Sequence, residues 1–346
     1  MDPFSHALLG AASAYAISSI RTRATVLAGV GGALLPDVDV LIQSSSDPLL
    51  ALEYHRQFTH SLIIAPFGAL LIATILWLAL RRRSALRDLY WPALAGFLSA
   101  VLLDACTSYG TQLLWPFWNA RFAASIVAVI DPVVTLILLA GVVMALRRKS
   151  AGPARVAIAA MLIYLGLGAL QHERAQNAAQ RAAAERGHVM LRHEVKPTLG
   201  NLLLWRSVYL TGNEFFIDAV RVGLRPEPVL YAGAHVRRIE PIDLVPPLTL
   251  HSVQTRDVTR FSKVSEHYLA RHPTRPRVIG DVRYAMLPDD VRPLWGIEIQ
   301  PEREAHHVAF HTFREFARDE RSRFFAMLRG VAADQLPTLE PDRTVR

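Results

Sequence analysis

Residues 61–80, SLIIAPFGALLIATILWLAL, run for 20 positions without a charged side chain. A helix rises about 1.5 Å per residue, so this stretch covers about 30 Å, the thickness of a bilayer's hydrocarbon core. The run argues against an ordinary water-soluble fold for the first half of the chain, and the charges set the second half apart. Of the 346 residues, 1–171 carry 20 charged side chains and 172–346 carry 48. This contrast predicts an α-helical, multi-span membrane domain over 1–171, followed by an extramembrane α+β domain over 172–346. Other apolar runs add to the count. Residues 122–146 contain one acid, Asp131; 156–171 is shorter; and 4–20, 24–36 and 89–103 are short or rich in Gly and Ala. About six helices are expected, some of them tilted or re-entrant.

Basic loops beside membrane spans stay preferentially in the cytoplasm. Alternating six spans collects Arg21, Arg23, Arg81, Arg82, Arg83, Arg87, Arg147, Arg148, Lys149 and Arg155 on one face, which is 10 of the 12 basic residues in this half. The N-terminus, the loops 37–60 and 104–121, and everything after about 172 then face the periplasm of a bacterial inner membrane. The net charge of +8 belongs to these membrane flanks, so the expected partners are membrane lipids and not nucleic acid. The single cysteine, Cys106, excludes an internal disulfide framework and any cysteine-rich zinc site. Residues 4–20 lack a preceding basic region and begin with an interrupting histidine, so they read as part of the mature protein and not as a signal peptide.

After a helical, Ala-rich stretch at about 172–186, alternating runs read as strands: 202–210, 215–222, 229–236 and 294–299. Pro-rich breaks at 226–228, 246–247 and 273–276 punctuate them. Amphipathic helices are expected at about 258–271 and 311–330. His306, His307 and His311 show no clustering with acids in the sequence and read as surface or core histidines.

Four short patterns carry the chemistry: SHALLG at 5–10, LPDVD at 35–39, HRQFTHS at 55–61 and DACTSYG at 104–110. The expected topology puts all four on one side. Imidazoles and carboxylates at a membrane boundary lose hydration unless they are paired, hydrated or metal-bound. A divalent cation satisfies them, Zn²⁺ first and Mn²⁺ or Fe²⁺ with more carboxylate, and lowers the pKa of a bound water towards 7. Asp37 and Asp39 face the same way if the segment is extended, and Pro36 disfavours helix at Leu35. His55 and His60, about 140° apart on a helix, reach one site only through a loop. Thr59 or Ser61 is placed to cap the following span. Asp104 ends its own span, with the Thr107 and Tyr109 hydroxyls nearby.

Arg56, the only basic residue of its loop, suits a phosphate or developing oxyanion; its other reading is an ion pair to Glu53 or Asp47, or a headgroup contact. Asp131, about nine residues into its run and followed by Pro132, is read either as a carboxylate supporting a ligating imidazole or as a helix cap.

These residues resemble the YdjM-like family of membrane-bound, metal-dependent hydrolases: the early His6, PDVD at 36–39, HRQFTHS at 55–61, DACTSYG at 104–110 and IDP at 130–132. The likeness covers about residues 1–170. The second half is more loosely similar to the extension of longer relatives, through LLLWRSV at 202–208 and VIGDVRY at 278–284. The resemblance implies His6, Asp37, Asp39, His55, His60 and Asp104 as metal ligands or near-ligands, with Arg56, Thr59 and Thr107 as catalytic or supporting residues. The resemblance implies a divalent-metal hydrolase; the expected reaction is attack of a metal-bound hydroxide on an ester or phosphoester, and a lipid or lipid-linked substrate is expected because the site lies where helices emerge into the headgroup layer. The competing class is a non-catalytic, metal-stabilised membrane scaffold or sensor. A transporter using Asp131 is weaker, since no inverted repeat is visible.

Overall fold

The computed structural model describes residues 1–81, 83–223, 227–245 and 247–339. Arg82, Pro226, Pro246 and residues 340–346, which figure in the readings above, lie outside the described residues. The chain divides into two compact units. The first comprises 1–42, 54–170 and 199–201; the second comprises 43–53, 171–198 and 202–346. Residues 43–53 therefore belong with the second unit although they lie within the first half of the sequence.

The first unit is helical. The chain runs in order through α1 (Pro3–Ile17), α2 (Arg23–Leu34), a 3-10 turn at Pro36–Leu41, the short α3 (Leu50–Tyr54), of which only Tyr54 belongs to the first unit, a second 3-10 turn at Phe58–His60, α4 (Ala65–Ala79), α5 (Leu86–Ala105), α6 (Pro132–Arg148) and α7 (Gly152–Glu185), whose residues from 171 onward are counted with the second unit. Local chemistry starts the helices. Asp2 caps α1 by accepting from Ser5 N at 2.9 Å, Thr22 caps α2, and Asp131 caps α6 with Pro132 in the first turn. Small residues let α1, α2 and α5 pack with their backbones close together. A Cβ added at Gly29 would lie 2.3 Å from the Gly10 carbonyl oxygen, and one at Gly96 would lie 2.1 Å from that of Gly29.

The expected six spans are not found. Among the described residues, two helices are long and apolar enough to cross a membrane, α5 and α7. A third counts only if Leu50–His60 and α4, which meet at an 84° bend, form one broken span. The reason is local. The 61–80 run loses its first four residues to the turn before α4, and Asp131-Pro132 starts α6 ten residues later than the 122–146 run suggested. α1 and α2 have 15 and 12 residues, short of the ~20 a perpendicular span needs. The 156–171 run, in contrast, is part of a 34-residue helix that continues through the expected 172–186 segment.

The second unit holds two antiparallel sheets of four strands each, every strand hydrogen-bonded to its sequence neighbour. The first contains β1 (Arg192–Pro197), β2 (Leu204–Thr211), β3 (Glu214–Arg221) and β4 (Val229–Arg237). The second contains β5 (Leu269–Arg271), β6 (Val278–Asp281), β7 (Trp295–Glu298) and β8 (Ala309–Thr312). α8 (Val253–Val264) begins earlier than the expected 258–271 helix because Ser252 caps it, and α9 (Arg318–Arg329) fills only the later part of the expected 311–330 helix. The buried guanidinium of Arg206 on β2 is satisfied by the carbonyls of Val282, Leu287, Pro288 and Asp290. Burial pushes its pKa down to about 10, still well above neutrality.

Candidate metal centre

Five segments of the first unit converge on one polar cluster. His6 comes from the start of α1, Asp37 and Asp39 from the 3-10 turn after α2, His55 and Arg56 from the turn after α3, His60 from the second 3-10 turn, and Asp104 from the last turn of α5. The side chains of His6, Asp39, His60 and Asp104 are fully buried, while Asp37 and His55 are 18% and 30% exposed and form the open edge. So many desolvated ionisable groups require mutual satisfaction.

The extended reading of PDVD does not hold. Leu35 keeps helical dihedrals (φ −60°, ψ −40°) before the proline, and Pro36–Leu41 is a 3-10 helix. At about three residues per turn, two aspartates two apart diverge instead of aligning. Each accordingly takes its own partners. Asp37 Oδ2 accepts from His6 Nδ1 at 2.9 Å. Asp39 accepts from His55 Nδ1 at 3.1 Å, the Arg56 backbone N–H at 2.7 Å and the Thr59 hydroxyl at 3.3 Å. That backbone bond holds Arg56 at φ +56°, in the left-handed region that a non-glycine residue seldom occupies.

Asp104 is the hub. Its carboxylate receives Arg56 Nη2 at 2.8 Å and His60 Nε2 at 3.1 Å, and it pairs with the buried Met1 ammonium. His60 Nε2 also lies 4.0 Å from Asp37 Oδ1, and its Nδ1 meets the Thr59 hydroxyl at 3.0 Å. His55 and His60 both reach the cluster because a loop joins them, their rings 6.4 Å apart. Thr107 accepts from Arg56 Nη1 at 2.8 Å while donating to the Asp104 carbonyl at 2.7 Å. Arg56 is thus held by Asp104 and Thr107, while Asp47 and Glu53 are both engaged by Arg260. Neither Thr59 nor Ser61 caps α4, whose N-cap is Ile64; the Ser61 hydroxyl donates instead to the Trp115 carbonyl.

A metal ion fits one corner of this cluster. Ligand atoms of His6, Asp37 and Asp104 lie within 4.8 Å of one another. With its Nδ1 proton held by Asp37, His6 presents the unprotonated Nε2 inward; that atom is buried and has no hydrogen-bond partner, although Asp104 Oδ1 is 3.2 Å away. A ligating imidazole has this same arrangement, one nitrogen on a carboxylate and the other offered to a cation. Three carboxylates face one guanidinium here, leaving an acidic excess beside the Met1 ammonium that suits a cation.

Asp131 is fully buried at the N-cap of α6. It accepts from the backbone N–H groups of Val133 and Val134 and from the Tyr164 hydroxyl at 2.9 Å. The helix-cap reading describes these contacts. Arg121 escaped the sequence reading. Its Nη2 donates to the His55 carbonyl at 3.0 Å, and its guanidinium lies over the Tyr109 ring at 5.5 Å, with Arg56 5.6 Å from the same ring. The available signal was its isolation, since Arg56 and Arg121 are the two basic residues of this half outside the basic clusters.

In the second unit, His307 does meet acids, contrary to expectation. Its Nδ1 lies 2.9 Å from Asp257 and 4.0 Å from Asp47, and the three residues have ligand atoms within 4.8 Å of one another. Arg260 already pairs with Asp47 and Asp257, so the group is an ion-pair network. The sequence concealed it because Asp47 lies 210 positions from Asp257.

Residues 1–175 match the YdjM inner membrane protein family. The chain belongs to that family. Every residue of the cluster falls within the matched region, and the membrane character read from the apolar runs agrees with it. The chain is also 29% identical over 119 residues to the uncharacterized protein YfhP of Bacillus subtilis strain 168, covering 34% of this chain and 36% of that one. It thus spans about a third of the length of that curated relative. No solved structure matches the chain.

Proposed function

We propose that this YdjM-family chain is an integral-membrane, metal-dependent hydrolase of esters or phosphoesters, with a lipid or lipid-linked substrate. The observation that carries the reading is the buried His6 Nε2, left without a hydrogen bond beside Asp37 and Asp104. His6, Asp37 and Asp104 would hold the ion, with His60 beside them and Asp39 and His55 orienting the neighbouring loop. Zn²⁺ suits mixed nitrogen and oxygen donors best, with Mn²⁺ or Fe²⁺ next. When bound, the cation supplies Lewis acidity towards water and substrate oxygen. Arg56 presents a buried positive charge next to the same carboxylate, where negative charge developing on a substrate oxygen is stabilised. Asp37 and His55, at the open edge, are the candidates for a general base.

Helix polarity supports a periplasmic site. His6 and Asp131 start α1 and α6, and Asp37 and Asp104 end α2 and α5. The basic residues gather at the opposite helix ends: Arg21 and Arg23 between α1 and α2, Arg87 at the start of α5, and Arg147, Arg148 and Lys149 at the end of α6. By the positive-inside rule that opposite end is cytoplasmic. The motif loops, and the C-terminal domain that follows α7, are then periplasmic. A reporter fused after residue 346 tests this, and activity in the cytoplasm refutes it.

The decisive experiment is metal analysis of the gently purified wild type and of Asp37→Ala and His60→Ala, followed by a screen of phosphoester and lipid substrates. We expect one or more divalent ions in the wild type, depletion in both variants, and metal-dependent hydrolysis. Wild-type protein without a divalent ion, or variants that retain it unchanged, refutes the ligand assignment. Bound metal with closed coordination and no hydrolysis selects the scaffold reading instead.

A further inference from the structure

The connection from α5 to α6, all of it within the first unit, carries a single charged side chain, Arg121, between Asp104 and Asp131. Such a composition leaves little to hydrate a segment of this length. The connection begins where α5, a helix long and apolar enough to cross a membrane, ends at Ala105. The residues that follow therefore start at the bilayer's edge.

Their tip is ordered by its own backbone. The Phe117 and Trp118 amides donate to the Leu114 carbonyl at 2.9 and 3.1 Å, and the Trp115 amide donates to the Gln112 carbonyl at 3.3 Å. Thr111 and Phe122 close the base by exchanging backbone bonds at 3.0 and 2.9 Å. This frame leaves Phe117 83% exposed, Trp118 57% and Leu114 39%. An aromatic side chain has about 150–250 Å² to bury, and three apolar residues within five positions of one ordered tip form a patch and not scattered singles. The tip is also tied to the segment that leads into α4. Leu62 N donates to the Leu113 carbonyl at 2.9 Å and the Ser61 hydroxyl to the Trp115 carbonyl at 2.5 Å. That segment exposes Ile63 and, in the first turn of α4, Phe67.

We propose that the tip at 112–118 is an interfacial anchor, which inserts Leu114, Phe117 and Trp118 into the lipid leaflet bordering the candidate centre. Trp, Phe and Leu are the side chains that segments lying in the headgroup and acyl boundary turn towards lipid. The membrane-crossing length of α5 and the inner membrane family of the chain select lipid as the occupant over a protein partner. Gln112 N donates to the Arg56 carbonyl at 3.0 Å, so an anchored tip holds the turn carrying Arg56 next to the headgroups. The consequence for a lipid substrate rests on the hydrolase reading above; insertion of the tip does not.

The test places a nitroxide spin label at Phe117→Cys or Trp118→Cys in the full chain, with Cys106→Ala removing the native thiol. The protein is reconstituted into vesicles of phosphatidylethanolamine and phosphatidylglycerol, and collisions of the label with oxygen and with a water-soluble nickel chelate are compared. Leu162→Cys, exposed on α7, supplies the hydrocarbon reference, and Ser322→Cys, exposed on α9, the aqueous one. Both tip labels are expected to favour oxygen, at a depth of about 5–10 Å into the headgroup and acyl boundary. Chelate access equal to that at Ser322→Cys overturns the proposal, since the tip then stands in water. A label reached by neither reagent overturns it in favour of a protein partner, a second copy included, and a depth equal to that of Leu162→Cys overturns the interfacial placement. The readout needs neither metal nor hydrolysis, so an inserted tip on a protein without activity leaves the anchor standing and refutes the hydrolase reading alone.

Discussion

Asp104→Asn tests the centre with a nearly isosteric change that removes one charge. The wild-type carboxylate is fully buried, with Arg56 Nη2 at 2.8 Å and His60 Nε2 at 3.1 Å. Two unit charges about 4 Å apart at an effective dielectric near 20 attract by about 4 kcal/mol. Breaking a buried pair by removing one partner typically costs about 3–5 kcal/mol, since the other charge stays buried. Relief of repulsion from Asp37, whose oxygen lies within 4.8 Å, offsets part of this, so the metal-free variant should lose about 3 kcal/mol. The second effect is on linkage. A ligand at a thousand times its dissociation constant stabilises the folded state by about 4 kcal/mol, so added Zn²⁺ should raise the wild-type unfolding midpoint clearly. The variant, with a poorer donor in place of a carboxylate, should show little of that rise. Denaturation of detergent-solubilised protein, with and without Zn²⁺ after chelator treatment, measures both quantities. An equal Zn²⁺-dependent shift in the two proteins would refute the reasoning, because Asp104 would then not contribute to a cation site.

Other perturbations separate packing from chemistry. Gly29→Val places a Cβ 2.3 Å from the Gly10 carbonyl oxygen, so α1 and α2 must separate; a stability loss of about 1–3 kcal/mol or more is expected in thermal unfolding, and an unaltered midpoint would contradict the close packing. Asp131→Ala removes a cap bonded to two backbone N–H groups and should cost about 1–2 kcal/mol while metal content stays the same; loss of the metal would instead return Asp131 to the centre. In the second unit, burial pushes the His193 imidazole down to about 4, against an ordinary 6.5. Between those values the unfolded chain binds a proton that the folded chain does not, so stability is complete above pH 6.5 and falls as the pH drops towards 4, by at most about 3 kcal/mol. His193→Gln should flatten that slope in acid denaturation, and an unchanged slope would rule His193 out as its source.

The sequence by itself determined the contrast between an apolar first half and a charged second half, and the identity of the polar groups that gather. Apolar runs, acids and histidines are local properties, and burial in lipid or in a helical bundle restricts where they fit. The patterns around His6, Asp37, Asp39, His55, His60 and Asp104 were legible for that reason, as were β2, β3, β4 and β7. What the tertiary structure decided was every feature that depends on the path of the chain. Asp131-Pro132 and the turn before α4 shortened runs that hydropathy alone read as complete spans, since backbone hydrogen bonding, not side-chain apolarity, sets where a helix begins. The 3-10 turn at Asp37 and Asp39 replaced an extended segment, because Leu35 remained helical despite the proline that follows it. Arg260 reaches Asp47 and Glu53 across more than 200 positions, a pairing with no local signature. Periodicity reports only on neighbours within a few residues, whereas an ion pair requires nothing more than proximity in space.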